Sequence, residues 1–204
     1  MTYKTSSGVF LFCYNTRMKL SIVCYLDINS SKTVRELQRE LSKVSGSVAS
    51  LASWEPHVTI GDGIEVNDIE LGAVKAELAS LGREITAFPL SLQGVESRDD
   101  RIGGEDEETT PYLIYLGVTV GDDLRALVDR VGYLTMYLRK WYVMPKPYVP
   151  HVTLAFRDLN ECGFYEGLKY LSDKDISITA TIGHFSLVEK LPTVDREIAR
   201  LNFG

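Results

Sequence analysis

The alternation of apolar and polar positions divides the chain into strands and helices whose order occurs twice. Leu20 to Ile28 (LSIVCYLDI) is a β-rich apolar run, long for a strand, which predicts a central place in a sheet. Asn29-Ser30-Ser31 supplies turn and N-cap chemistry, and Thr33 to Val44 then sets Val34, Leu37, Leu41 and Val44 at helical spacing. Gly46 and the small polar residues around it end that helix and lead past Trp54 to a strand starting at His57. Gly61-Asp62-Gly63 predicts a turn. Asn67-Asp68 caps a second helix through Leu81, with Gly82 at its C′ position. Phe88 to Val95 alternates, Phe88, Leu90 and Leu92 against Pro89, Ser91 and Gln93, as a half-buried strand does.

Ser97 to Thr110 breaks the pattern. It is charged, contains Gly103-Gly104 and an acidic run from Glu105 to Glu108, and reads as a solvated linker. After it the order returns. Tyr112 to Val120 is a strand, and Gly121-Asp122-Asp123 caps a helix through about Lys140. Pro145 to Pro150 is a stiff, extended approach to a strand starting at His151. Asn160 to Leu171 is a helix, and Ile176 to Val188 is one long strand with a bulge or bend at Gly183. Glu197 to Phe203 fits a last strand or a short helix equally well. The whole is an internal duplication of about 90 residues, mixing strands and helices without strict βαβ alternation. It predicts two lobes about a pseudo-twofold axis. Residues 1–17 precede Met18-Lys19 and are expected to be a peripheral extension. Residues 18–204 are expected to be a single bilobal domain, with lobes roughly 18–96 and 111–204 that exchange strands.

Composition narrows the function classes. The 204 residues are 45% hydrophobic and 25% charged, the balance of a globular protein with a sizeable core. A net charge of −6 argues against a broad basic surface for long nucleic acid, but not against a short phosphate-bearing ligand in a locally basic cleft. Cys13, Cys24 and Cys162 are odd in number and widely spaced, which fits a reducing, cytoplasmic setting and gives no zinc signature. No apolar run approaches the length of a membrane span, and the short Gly8 to Tyr14 run lacks the basic flank of a signal peptide.

The chemistry concentrates where the duplication is most literal. Pro56-His57-Val58-Thr59 and Pro150-His151-Val152-Thr153 are identical tetrapeptides that hold two of the chain's three histidines. On a strand, His and Thr two residues apart share a face, roughly 7 Å apart, while Val points the other way. Two such pairs facing one cleft make an acid–base site. An imidazole ordinarily titrates near neutrality, so one can take a proton while the other gives one. The hydroxyls can donate to phosphate oxygens. Such a site suits a phosphodiester with an internal ribose leaving group and calls for no cofactor. A zinc site built on the two histidines has Asp62 as its one nearby additional candidate ligand. No Gly-x-Ser-x-Gly elbow supports a serine nucleophile. His184 lacks a following Thr and reads as a structural or surface histidine.

These paired His-x-Thr motifs resemble those of the two-histidine (2H) phosphoesterase superfamily, which includes 2′-5′ RNA ligase-like proteins and cyclic phosphodiesterases. The second copy carries more of the likeness. Lys146-Pro147-Tyr148-Val149-Pro150-His151-Val152-Thr153-Leu154-Ala155 is similar to the basic–Pro–aromatic–x–Pro–His–x–Thr–Leu–Ala signature of the RNA ligase-like members. The resemblance implies an α+β bilobal fold with two antiparallel-rich sheets around a central cleft and helices outside. It implies a catalytic set of His57, Thr59, His151 and Thr153 with no metal, the two histidines dividing the base and acid roles. Many such members have arginine directly after Leu-Ala, where this chain has Phe156. Arg157 follows, and continued alternation would bring it to the histidine face. The first motif commonly continues into an aromatic residue, where this chain has Gly61-Asp62-Gly63. Lys146 and Arg157 are candidates to line a phosphate approach. Tyr148 is a candidate either to stack on a base or to pack the strand entrance.

The expected function is a metal-independent phosphoesterase for 2′,3′-cyclic phosphates or 2′-5′ phosphodiesters of RNA or nucleotides, with ligation as the possible reverse. The alternative is a catalytically inactive module that binds RNA or nucleotide ends. The expected partners are RNA ends or small cyclic or 2′-5′-linked nucleotides, engaged by a monomer, with no membrane and no broad nucleic-acid surface.

Overall fold

The computed structural model describes residues 17–53, 55–99, 111–138, 149–191 and 195–204. The first half runs β1 (Met18–Tyr25), α1 (Ile28–Ser45), α2 (Ala49–Ser53), β2 (His57–Val66), α3 (Asp68–Arg83) and β3 (Phe88–Asp99). The second runs β4 (Tyr112–Val118), α4 (Asp122–Thr135), β5 (His151–Ala155), α5 (Glu161–Leu171) and β6 (Ser177–Ile182). β7 (His184–Glu189) and β8 (Arg196–Asn202) complete the chain. Two four-stranded sheets result, ordered β2-β1-β7-β8 and β5-β4-β3-β6, and every pairing in them is antiparallel. This is the expected α+β architecture.

Each sheet takes strands from both halves: β3 joins the second sheet, and β7 and β8 join the first. The helices cross in the same way. α1 leaves the first sheet to pack on β5 and β6 beside α5, while α4 leaves the second to pack on β2 beside α3. The apolar faces of the sheets meet these helices. Gly61 of β2 lets Val131 of α4 and Ile22 of β1 close over it, since a Cβ there would lie 3.1 Å from Val131 Cγ1. Gly167 of α5 does the same between Ile114 of β4 and Leu41 of α1. The opposite faces carry the histidines, and the two motif strands, each an edge strand, approach one another.

Several local expectations change. Helix α1 starts at Ile28 because Asp27, not the Asn-Ser-Ser run, caps it, accepting from the N–H groups of Asn29 and Ser30. The same carboxylate accepts from the Thr181 N–H of β6 at 2.8 Å, so it anchors α1 to the second sheet. Asn67 caps α3 as expected, in a reciprocal box with Glu70. Gly82, however, does not end that helix, which continues to Arg83. Its missing side chain makes room for the Asn202 carbonyl, 2.9 Å from where a Cβ would stand. Gly61-Asp62-Gly63 is not a turn. β2 runs through it with two register shifts against β1. Gly63, at φ 72°, takes up the extra length as a bulge, and Asp62 stabilises it by accepting from Gly63 N–H and Ser21 Oγ.

β3 extends to Asp99, into the stretch expected to be linker, because Ser97, Arg98 and Asp99 pair with β4. The long C-terminal strand is two strands. Gly183 divides them, and β6 and β7 enter different sheets. The final segment is strand β8, held by pairing with β7 from His184 to Glu189. α2 was not foreseen; its five residues carry no periodic signal. Of the N-terminal segment, Arg17 is described, and it bonds the Glu65 carbonyl and the Glu70 carboxylate. Residues 1–16, the acidic run and most of the Pro145–Pro150 approach lie outside the described residues.

Candidate active site

The two Pro-His-Val-Thr copies open β2 and β5 as expected. Val58 and Val152 are fully buried, while each His and Thr is half-buried on the opposite face. The imidazoles are fixed in the same way. His57 Nδ1–H donates to the Glu55 carbonyl at 2.8 Å, and His151 Nδ1–H donates to the Val149 carbonyl at 3.1 Å. A carbonyl can only accept, so Nδ1 carries the proton in both rings and the lone pair of the neutral tautomer is on Nε2. Two bases of the same tautomer thus sit on two edge strands that face each other.

His57, Thr59, His151 and Thr153 all line one cleft of about 220 Å³ between the sheets. Arg157 lines it too, but not by strand alternation: β5 stops at Ala155, and a left-handed backbone at Arg157 (φ 58°) redirects the chain. Lys146 and Tyr148 lie outside the described residues. His184 is on β7, away from the cleft lining, with its ring 6.1 Å from that of Tyr25. Asp62 is engaged in its bulge. Among the described residues no group of three or more His, Cys, Asp or Glu side chains is placed to hold a metal ion.

The cleft is also lined by Gln38, Glu55, Phe156 and Lys190, none of them a candidate from the sequence. Gln38 is buried on the apolar stripe of α1, and its Nε2 donates to the Thr153 carbonyl at 2.9 Å, steadying the second motif from a helix of the other half. A glutamine four residues after Val34 and three before Leu41 interrupts a buried stripe, and that interruption was a readable signal. Lys190, just past β7, gave none, since nothing local distinguishes it from a surface charge, while Phe156 stood out only as a departure from the motif of similar proteins. Glu55 also lines the cleft, and Arg35 of α1 pairs with it at 3.1 Å.

Both histidines are held neutral. Burial pushes the His57 imidazole down to about 4, and the nearby positive charges of Lys190 and Arg35 add to that. Burial lowers His151 as well, with Arg98 acting in the same direction and Glu96 against it. Tyrosines back both rings, Tyr25 at 6.0 Å from His57 and Tyr115 at 4.9 Å from His151. A stability consequence follows. The unfolded chain binds protons at His57 from about pH 6.5 downward, and the folded chain does so only near pH 4. The contribution is therefore present above pH 6.5 and is lost as pH falls toward 4. Melting temperature is expected to drop across that window, and less steeply in His57→Gln; identical slopes would contradict it.

Comparison with known proteins bears on the family and the fold. The sequence model of the 2′-5′ RNA ligase superfamily matches residues 62–192, a span that includes the second motif and begins just after the first. Among solved structures, LigT of E. coli complexed with 3′-AMP superposes with a TM-score of 0.62 at 14% identity, over 92% of this chain and 99% of that one. TT0787 of Thermus thermophilus gives 0.56 at 20% identity, over 91% and 98%. Usb1 of Kluyveromyces marxianus with uridine monophosphate gives 0.51 at 12%, over 93% and 99%. Among curated proteins, none matches the chain. The paired sheets and the extent of the family match lead to one assignment: the chain belongs to the 2′-5′ RNA ligase superfamily, within the two-histidine phosphoesterases.

Proposed function

We propose that this protein is a metal-independent phosphoesterase. It acts as a monomer on 2′,3′-cyclic phosphates or 2′-5′ phosphodiesters of RNA ends or small nucleotides. The observation that carries this reading is the matched pair of imidazoles, each locked through Nδ1 and each lining the same cleft beside a threonine. In hydrolysis of a cyclic phosphate, Nε2 of one histidine takes a proton from the attacking water. The other histidine, protonated, gives one to the departing ribose oxygen. Thr59 and Thr153 donate to the non-bridging oxygens, where charge builds up as the bond breaks. With a 5′-hydroxyl as the attacking group in place of water, the same forward steps form a 2′-5′ linkage, and their reverse breaks it to the cyclic phosphate.

The acid must acquire its proton with the substrate. Burial depresses both imidazoles, and an anionic phosphate placed between them raises both, because an opposite charge favours the protonated ring. Lys190 and Arg157 add positive charge to the lining, suiting an anion despite the net charge of −6. The named ligands of the similar structures, 3′-AMP in LigT and uridine monophosphate in Usb1, are of the expected size class.

The deciding experiment offers a 2′,3′-cyclic nucleotide and a 2′-5′-linked dinucleotide to the protein in excess chelator. Turnover of either, undiminished by chelator, is expected. Activity that the chelator abolishes would refute the metal-free mechanism. Tight nucleotide binding with no turnover would favour a binding module instead.

A further inference from the structure

Arg157 is the one non-glycine residue at positive φ among the described residues, and it sits at the cleft. Its turn is closed by Asp158 N–H donating to the Phe156 carbonyl at 2.8 Å. A hydrogen bond between residues two apart marks a γ-turn, and the positive-φ form of that turn is rare and strained. A side chain at such a backbone angle persists only where its surroundings hold it there.

The surroundings here converge on one carboxylate. Asp158 Oδ1 accepts from Ser47 Oγ at 2.6 Å, and Oδ2 accepts from the N–H groups of Val48 and Ala49 at 2.8 and 3.1 Å. Ser47 is buried, so the anchor is fixed. Hydrogen bonds to an ionised acceptor are the strong ones. The segment they grip opens α2, and the chain runs from there to Glu55 and His57. Asp158 therefore ties the stretch after the second motif to the stretch before the first.

We propose that Asp158 is a positioning residue: it clamps the left-handed turn that presents Arg157 to the cleft and so sets affinity for the anionic part of the substrate. This rests on the reading of the cleft given above. Continued alternation past Ala155 would keep Arg157 on the histidine face but carry it onward along the β5 axis, whereas the turn redirects the chain there, with the guanidinium 5.0 Å from the Phe156 ring centroid.

The test is a double-variant cycle in the intact chain, with adenosine 2′,3′-cyclic phosphate as the probe. Asp158→Ala is expected to raise KM about tenfold with kcat within about twofold of wild type, and Arg157→Ala to do the same. Because one acts through the other, the double variant is expected to be no worse than Arg157→Ala. Factors that multiply, or an unchanged KM in Asp158→Ala, would overturn the proposal. Should Asp158→Ala not fold, Ser47→Ala removes the hydroxyl that donates to Asp158 Oδ1 and, more weakly, to the Phe156 carbonyl at 3.5 Å, and is expected to raise KM about two- to threefold, an unchanged KM again counting against the clamp. Strain is read separately. Arg157→Gly is expected to melt about 2–4 °C above Arg157→Ala, since glycine adopts positive φ without cost; equal melting would show an unstrained turn and overturn the proposal. If the wild type turns over neither this nucleotide nor a 2′-5′-linked dinucleotide, the enzymatic reading fails, and Kd for the same nucleotide replaces KM in the cycle. A wild type that neither converts nor binds it overturns the clamp as well.

Discussion

Replacing His57 or His151 by alanine is expected to lower kcat on a 2′,3′-cyclic nucleotide by about 10²–10⁴-fold each, the range for a positioned general acid or base. The double variant should lose far less than the product of the two factors, because the imidazoles serve one concerted transfer and removing either already disables it. Thr59→Val and Thr153→Val should cost less, on the order of tenfold to a hundredfold, as lost donors to a charged oxygen. A single-histidine variant that retains wild-type kcat would remove the basis for the paired mechanism. The pH profile gives an independent check. In the free protein burial holds His57 at about 4 and keeps His151 below its ordinary value. The bell of kcat/KM should therefore lie on the acid side of about pH 6.5, while that of kcat should sit higher, because bound phosphate raises both rings. A profile flat from pH 5 to 8 would argue against two titrating histidines, and coincident bells would argue against the rise caused by bound phosphate.

Phe185→Ala is the substitution expected to damage the fold most. Phe185 is the largest of the fully buried side chains among the described residues, on β7, with the ring of Phe203 at 5.7 Å. Truncating a phenylalanine in such a place costs about 3–5 kcal/mol, much of a typical domain's stability of about 5–15 kcal/mol. A fall in melting temperature on the order of 10 °C is expected at neutral pH. The location makes this informative beyond its size. β7 comes from the end of the chain yet pairs with β1 at the start, so loosening it tests whether the two halves are one cooperative unit. A single sharp transition at lower temperature is expected. Two separate transitions would show lobes that unfold independently, and a shift under about 2 °C would show that the site relaxes around the cavity.

The chemistry of the site lies in short stretches, and those stretches were legible without coordinates. Pro-His-Val-Thr combines a strand start, period-two alternation and two reactive side chains on one face. Its recurrence in a chain of repeated element order brought the two copies together on paper. Helix α1 was legible through its apolar stripe and α3 through its Asn67 cap for the same reason: those signals lie within a few residues. Gly61-Asp62-Gly63 misled because glycine's permissiveness serves turns and bulges alike, and only the partner strand β1 decides between them. Gly82 misled because its missing side chain answers to the Asn202 carbonyl, far away in sequence.

What the sequence determined by itself is therefore the local grammar: which segments are strands or helices, that the pattern is doubled, and that each half carries one imidazole beside one hydroxyl. The tertiary structure decided everything that depends on a distant partner. It sent β6 and β7 to different sheets on either side of Gly183 and crossed α1 and α4 to the opposite sheets. It put Gln38 behind Thr153, brought Lys190 and Arg35 near His57, and turned Arg157 inward through Asp158. The physical reason is range. Propensity, capping and alternation act over a few residues. The shift of an imidazole and the holding of a strained turn depend on groups tens to more than a hundred positions away, which only packing brings close.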